Sequence, residues 1–275
     1  MFGGIFACES ADMLIYSPVI SPRLKYIADF AGNEIGHESF AVTSDKDVFA
    51  HYPGVRINYS DEWLPDHSIW IKPQGLLSEN DIRQQAITVF DAGGHKAFFK
   101  TEGDLPFDML AAIFYLLSRY EEHLPYQKDM YGRFAHENSL AFKEGFLQQP
   151  LVNTWLEALK KIVRHKWPGF QLREKKFTFL PTYDIDEAYS FKYKEWTRSS
   201  GGAIKDLLKG NWERFRQRRS VLNNAEPDPF DSYSWINDLH RPHKLNPRYF
   251  FLVAAKTGKY DRNILPGEIA LHTLI

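Results

Sequence analysis

The chain has 275 residues, 44% of them hydrophobic and 15% aromatic, which argues against disorder and suffices for two domain cores. Its 34 Lys and Arg balance 35 Asp and Glu, so no basic field attracts nucleic acid. Cys8 is the single cysteine, which excludes an internal disulfide and a thiolate zinc cluster and favours a reducing, cytoplasmic setting. No apolar run approaches the roughly 18 residues that cross a bilayer, so we expect no transmembrane segment.

The first domain is predicted to cover residues 13–165 and to have an α/β fold, after a disordered extension over residues 1–12. A strand at Met13–Tyr16 precedes the helix-start signal Ser21-Pro22. Short strand-like runs separated by Pro, Gly and Asp clusters then follow, at 40–42, 55–57 and 68–71. Gly93-Gly94 predicts a turn between the apolar residues at 89–90 and 97–99.

Two helices are predicted to complete this domain. Asp104-Leu105-Pro106 predicts the start of a helix over 107–122, with apolar residues on one face. Pro150 begins a second helix, which Trp167-Pro168-Gly169 ends. We therefore place the domain boundary within 165–176.

Residues 177–187 carry the pattern that points most directly to chemistry. The apolar residues Phe177, Phe179 and Leu180 predict a buried strand that ends in Asp184 and Asp186. Side chains two apart on a strand point the same way, with Cα atoms roughly 6–7 Å apart. Two carboxylates so close repel unless a cation or a proton lies between them, so the pair is a candidate metal or acid/base site. Solvated acids in a strand-end turn are the alternative.

The residues after the acid pair predict a βα unit. Six Lys or Arg within 205–219 indicate a surface helix or flexible insertion with a basic outer face, the alternative being an arm that binds a membrane or polyanion. A helix over 232–240 and a buried strand over 248–253 follow. The order strand, helix, strand predicts a parallel sheet.

The sequence around the acid pair resembles the first motif of NodB-type polysaccharide deacetylases. Asp184-Ile185-Asp186 alone would also suit a haloacid-dehalogenase-like phosphatase or a nucleotide-sugar glycosyltransferase, but the deacetylase likeness covers more residues. It spans about 13–275 and resembles the bacterial branch in which an uncharacterised N-terminal domain precedes the deacetylase domain. The residues that carry it are 116–122, 132–134, 150–153, 182–186, 228–231, 235–240, 248–252 and 258–263.

The resemblance implies an α/β protein with an N-terminal α/β domain and a NodB-like β/α barrel. It implies hydrolysis of an N-acetyl group on a polysaccharide or its precursor, at a divalent metal, usually zinc, held by one Asp and two His. Asp184 would be the general base and Asp186 the metal ligand. The family motif has adjacent acids, whereas Ile185 separates them here.

The histidines depart from the family pattern. No His-x-x-x-His follows residue 186; His240 and His243 are three apart around a proline, and His272 falls in a predicted helix after Pro266-Gly267. His240, at a helix end before a proline, is interpreted as a cap or surface residue. We therefore expect residues 176–275 to form an incomplete barrel that stops before the metal histidines. Such a chain would bind zinc weakly and have little or no deacetylase activity.

Two alternatives remain open from the sequence. In the first, residues 13–165 form a non-catalytic module that binds a glycan or a partner, and the second domain only packs. In the second, the Asp-x-Asp pattern belongs to a phosphatase or a nucleotide-sugar enzyme.

Overall fold

The structure is a computed structural model. The chain forms two compact units, residues 1–175 and residues 176–275. Residues 1–12, predicted to be a disordered extension, and 258–262 of the deacetylase-like pattern lie outside the described residues. The side chains of 196–200 and 203 are not described either. The described residues are 13–36, 39–174, 176–194, 196–253, 263–264 and 266–274.

The first unit is built on a parallel sheet with the strand order β2-β1-β3-β4. The chain forms β1, moves to one side of it for β2, and then crosses to the other side for β3 and β4. This reversal creates a switch point between the carboxyl ends of β1 and β3. The predicted α/β class is confirmed at this level. The strands are β1 (Met13–Tyr16), β2 (Ala41–Thr43), β3 (Val55–Asn58) and β4 (Ile69–Trp70).

Helices and a β-hairpin surround this sheet. The apolar stripe of α1, which includes Leu24, Ile27 and Ala31, is buried in a core shared with the sheet, α3 and α5. The Gly93-Gly94 turn joins the two antiparallel hairpin strands, β5 and β6, as the sequence predicted. The elements are α1 (Pro22–Ile35), α2 (Lys46–Ala50), β5 (Phe90–Asp91), β6 (Lys96–Ala97), α3 (Met109–Leu117), α4 (Leu140–Lys143) and α5 (Leu151–Lys166).

The helix predicted over 107–122 is shorter than its apolar pattern suggested. It begins at Met109, because Asp108 is its cap and accepts the N–H of Ala111 at 3.0 Å. Asp104, the predicted cap, instead accepts the backbone N–H of Trp70 at 2.7 Å. The helix ends at Leu117, and Arg119 has a left-handed backbone with φ 51°.

The second unit contains a pair of parallel strands, β7 (Thr182–Ile185) and β8 (Arg248–Phe251), and this pairing was predicted correctly. No closed barrel is formed by the residues that the structure describes. No helix within the described ranges is long and apolar enough to cross a bilayer. The helices of this unit are α6 (Trp196–Leu208), α7 (Trp212–Leu222), α8 (Tyr233–His240) and α9 (Ile269–Leu274).

The prediction of a buried strand from Phe177 onward was wrong. Phe177 is 93% exposed and Phe179 is 58% exposed, and the strand begins only at Thr182. The reason is the register: Thr182 pairs with Arg248, the first residue of β8, so β8 does not extend alongside 177–180.

Helices α6 and α7 pack together and carry the basic segment 205–219. The prediction of a surface helix with a basic outer face is confirmed for most of these side chains, which are exposed. Arg218 is the exception. It is buried, and its guanidinium contacts the buried carboxylate of Asp206 at 3.0 Å.

Candidate functional site

The two predicted site acids lie where the sequence analysis expected them, at the carboxyl end of a parallel strand. Asp184 is the third residue of β7, and Asp186 follows the strand directly. Exposure alternates along this stretch: both acids are exposed, whereas Tyr183 and Ile185 are half-buried. Asp184 therefore lies on the side of the strand opposite to Tyr183 and Ile185, and Asp186 lies exposed just beyond the strand end.

One side of the β7–β8 pair is covered by α8. Tyr233 of this helix lies with its ring centroid 6.1 Å from that of Tyr249 and 6.3 Å from that of Phe251. The Tyr183 hydroxyl lies 2.6 Å from Nε2 of His240, the last residue of α8. His240 is buried by these contacts, so its interpretation as a cap or surface residue was wrong.

The opposite side of the pair, which we call the open face, carries Asp184. Its residues Thr182, Asp184, Arg248 and Phe250 are all exposed. Asp184 pairs in register with Phe250, which is 57% exposed. Among the described residues, neither Asp184 nor Asp186 has a hydrogen-bond or ion-pair partner. Their oxygens are free to accept a proton or to bind a cation.

Asp228 organises the loop that follows the acid pair. Its buried carboxylate accepts the backbone N–H groups of Ser190 at 2.7 Å, Phe191 at 2.8 Å and Lys192 at 3.0 Å, and also that of Phe230 at 3.0 Å. Burial by itself would raise the pKa of Asp228, but these N–H groups outweigh burial and hold the pKa below its usual value.

Asn263 joins the chain after β7 to the chain after β8. Its Oδ1 accepts the N–H of Ala188 at 2.9 Å, and its Nδ2 donates to the carbonyl of Leu252 at 2.9 Å. Asp228 and Asn263 had no predicted role. Both lie in segments that resemble the deacetylases, but the local sequence does not indicate which backbone groups their side chains bind.

The described residues do not fit a complete zinc site. Catalytic zinc sites normally have three protein ligands and one open position. No group of three or more His, Cys, Asp or Glu that could hold a metal is found among the described residues. His240 is buried against Tyr183, and His272 is exposed on α9. Asp184 and Asp186 thus supply two carboxylates without a third ligand in the part of the chain that the structure describes.

Comparison with known proteins identifies the first unit only. A model of a family of unknown function (DUF7033) matches residues 13–168, which is more than half of the chain and runs from β1 to just after α5. No curated protein and no solved structure matches the chain. The chain therefore belongs to the family of unknown function DUF7033.

Proposed function

We propose that residues 176–275 form part of a NodB-type polysaccharide N-deacetylase, which hydrolyses an N-acetyl group on a polysaccharide or its precursor. The observation that supports this most is the position of Asp184 and Asp186, two exposed and unpartnered carboxylates at the carboxyl end of a parallel strand. Active sites of β/α barrels lie at the carboxyl ends of the strands.

The two sides of the β7–β8 pair also agree with this proposal. In a β/α barrel, helices cover the outer side of the strands, and the inner side faces the other strands. Helix α8 covers one side here, whereas Asp184 and Phe250 lie on the open face. We propose that β7 and β8 are neighbouring strands of a NodB-like barrel and that the open face is its inner side.

We assign Asp184 the role of general base, which takes the proton from the attacking water. Its carboxylate suits this role because no described residue competes for its oxygens. We assign Asp186 the role of carboxylate ligand to a divalent metal, which is usually zinc in NodB-type deacetylases. Because the described residues do not fit a complete zinc site, we attribute no step of the reaction to the metal.

Binding of Mn²⁺ to the full chain, followed by NMR line broadening, tests the site. We expect broadening of residues around the carboxyl ends of β7 and β8, and we expect Asp184→Asn combined with Asp186→Asn to remove it. Asp238→Asn is the matched control, because it neutralises an exposed carboxylate on α8, the helix that covers the opposite side of the β7–β8 pair. Equal broadening in the double variant and the control would argue for solvated strand-end acids.

Acetate release from a chitooligosaccharide tests the reaction. With two carboxylates and no third ligand among the described residues, we expect little or no release by the chain. Zinc-dependent release that Asp184→Asn abolishes would support the base role and contradict the expected inactivity. Hydrolysis of a phosphate monoester that the same substitution abolishes would favour the Asp-x-Asp phosphatase instead.

A further inference from the structure

The first unit has a cavity at the switch point of its sheet. The cavity has a volume of about 230 Å³, and its wall includes Ser17, which follows β1, Tyr59 and Ser60, which follow β3, and Gln74, which lies beyond β4. Ligands of open parallel α/β sheets bind outside the carboxyl ends of the strands, at such a switch point. Its position therefore makes the cavity a candidate binding site.

The wall of the cavity is held by a buried carboxylate. Asp108 accepts a hydrogen bond from the hydroxyl of Tyr59 at 2.8 Å and another from the backbone N–H of Gln74 at 2.8 Å. It also caps α3 through the N–H of Ala111. These bonds join the ends of β3 and β4 to the start of α3, so the cavity is formed before any ligand arrives.

The lining of the cavity is poorly suited to a phosphate group. Nucleotide sites offer free backbone N–H groups at the start of the first helix. Pro18 and Pro22 have no N–H, and the N–H of Leu24 is bonded to Oγ of Ser21 at 3.0 Å. None of the lining residues is Lys, Arg or His, and the carboxylate of Asp61 repels anions.

The remaining groups match an uncharged polyol. The lining offers the hydroxyl of Ser78, the amide of Gln74 and the carboxylate of Asp61 beside the apolar surface of Val19 and Leu77. Hydroxyls and amides both donate and accept hydrogen bonds, and a carboxylate accepts them, which suits the hydroxyl groups of a sugar. The volume is below the roughly 300–1,000 Å³ of pockets for drug-sized ligands, which limits the ligand to one small unit.

We propose that this cavity binds one uncharged sugar residue of a glycan. The site belongs to the family domain, 13–168, and not to the acid pair. The inference is thus independent of the proposed deacetylase, and it places glycan binding in a domain without an assigned role.

Saturation-transfer NMR and calorimetry with N-acetylglucosamine and the full chain test this proposal. Val19→Trp should block the cavity, because Val19 lines it and is 54% exposed, and we expect at least a tenfold loss of affinity. Val48→Trp is the matched control: Val48 is 49% exposed, lies on α2 outside the cavity, and should leave binding unchanged. Unaltered thermal melts establish that both variants fold.

Each outcome decides the proposal. No saturation transfer to the wild-type chain, or equal losses of affinity in the two tryptophan variants, would overturn it. The phosphate ester of the same sugar should bind at least tenfold more weakly, since Asp61 repels it; tighter binding of the ester would overturn the uncharged class. Asp184→Asn should leave binding unchanged, so the result separates this site from the deacetylase proposal.

Discussion

The hydroxyl of Tyr59 donates a 2.8 Å hydrogen bond to Oδ2 of Asp108, which ties the end of β3 to the cap of α3. Both side chains are buried. Burial raises the pKa of Asp108 to about 6, although the N–H groups of Ala111 and Gln74 and the Tyr59 hydroxyl act in the opposite direction. Burial, followed by the negative charge of Asp108, raises the pKa of Tyr59 well above its usual value. This pair makes the stability of the first unit depend on pH.

We expect the free energy of unfolding to fall as pH rises from about 4 to about 6 because of Asp108. Its pKa is about 6 in the folded chain and near 4 in an unfolded one, so the stabilising contribution is complete below pH 4 and lost as pH rises through 6. A difference of about two pKa units corresponds to about 3 kcal/mol. Urea unfolding of wild type and Asp108→Asn from pH 4 to pH 7 should show this extra loss in wild type only. Parallel pH profiles would contradict it.

Asp228→Asn should destabilise the second unit by about 1–3 kcal/mol, because an amide cannot accept all four backbone N–H groups and its NH₂ opposes them. The lowered pKa adds a pH dependence: the contribution is present above pH 4 and is lost as pH falls through the folded pKa. Asp231→Asn, an exposed acid three residues later, is the control. Hydrogen exchange of 188–192 should rise in Asp228→Asn alone; equal exchange in both variants would refute the role of the carboxylate.

Gly202→Ala and Gly201→Ala should change stability in opposite directions. A Cβ on Gly202 would lie 2.7 Å from Nη2 of Arg218, whose buried pair with Asp206 prevents it from moving freely, so we expect a loss of about 1–3 kcal/mol. A Cβ on Gly201 meets no atom within 4 Å, and alanine in a helix is favoured by about 0.5–1 kcal/mol over glycine. Thermal melts of the two variants measure the difference. A stabilised Gly202→Ala chain would show that α6 and α7 do not pack closely here.

We expect the chain to self-associate through exposed aromatic rings of the second unit. Phe177, Phe179 and Phe250 are each more than half exposed, and exposed apolar surface promotes association. Replacing all three with Ser should lower the weight-average mass in sedimentation experiments without lowering the thermal midpoint. Phe142→Ser is the control, since Phe142 is an exposed aromatic residue of the first unit. Association that persists in the triple variant would assign it to another surface.

Local patterns predicted most elements and the position of the acid pair. Ser21-Pro22 indicated the start of α1, Gly93-Gly94 indicated the turn between β5 and β6, and the apolar runs located β1 to β4. Asp184 and Asp186 lie at the end of β7 as expected, and the β7–β8 pairing is parallel. The elements and the acid pair depend on residues close together in the chain, whose backbone preferences and apolar periodicity are visible in the sequence.

The predictions that were wrong concern residues whose surroundings are set by residues far away in the chain. Asp104 and Asp108 are both suitable helix caps, and the N–H of Trp70, which Asp104 accepts, decides between them. Phe177 resembles a strand residue, but the register of β8 leaves it unpaired. His240 resembles a surface histidine, but the hydroxyl of Tyr183 lies against it.

The sequence by itself therefore determined the α/β class, the order of the elements and the two acids at the end of β7. Only the tertiary structure decided that α8 covers one side of β7 and leaves Asp184 on the other side. The same holds for the hydrogen bonds between Asp228 and the loop that follows β7. The position of the cavity beside Tyr59 and Gln74 also depends on the tertiary structure, because the chain crosses from β2 to the other side of β1. The physical reason is that these features depend on strand order and on hydrogen bonds between residues far apart in the chain, which no local pattern specifies.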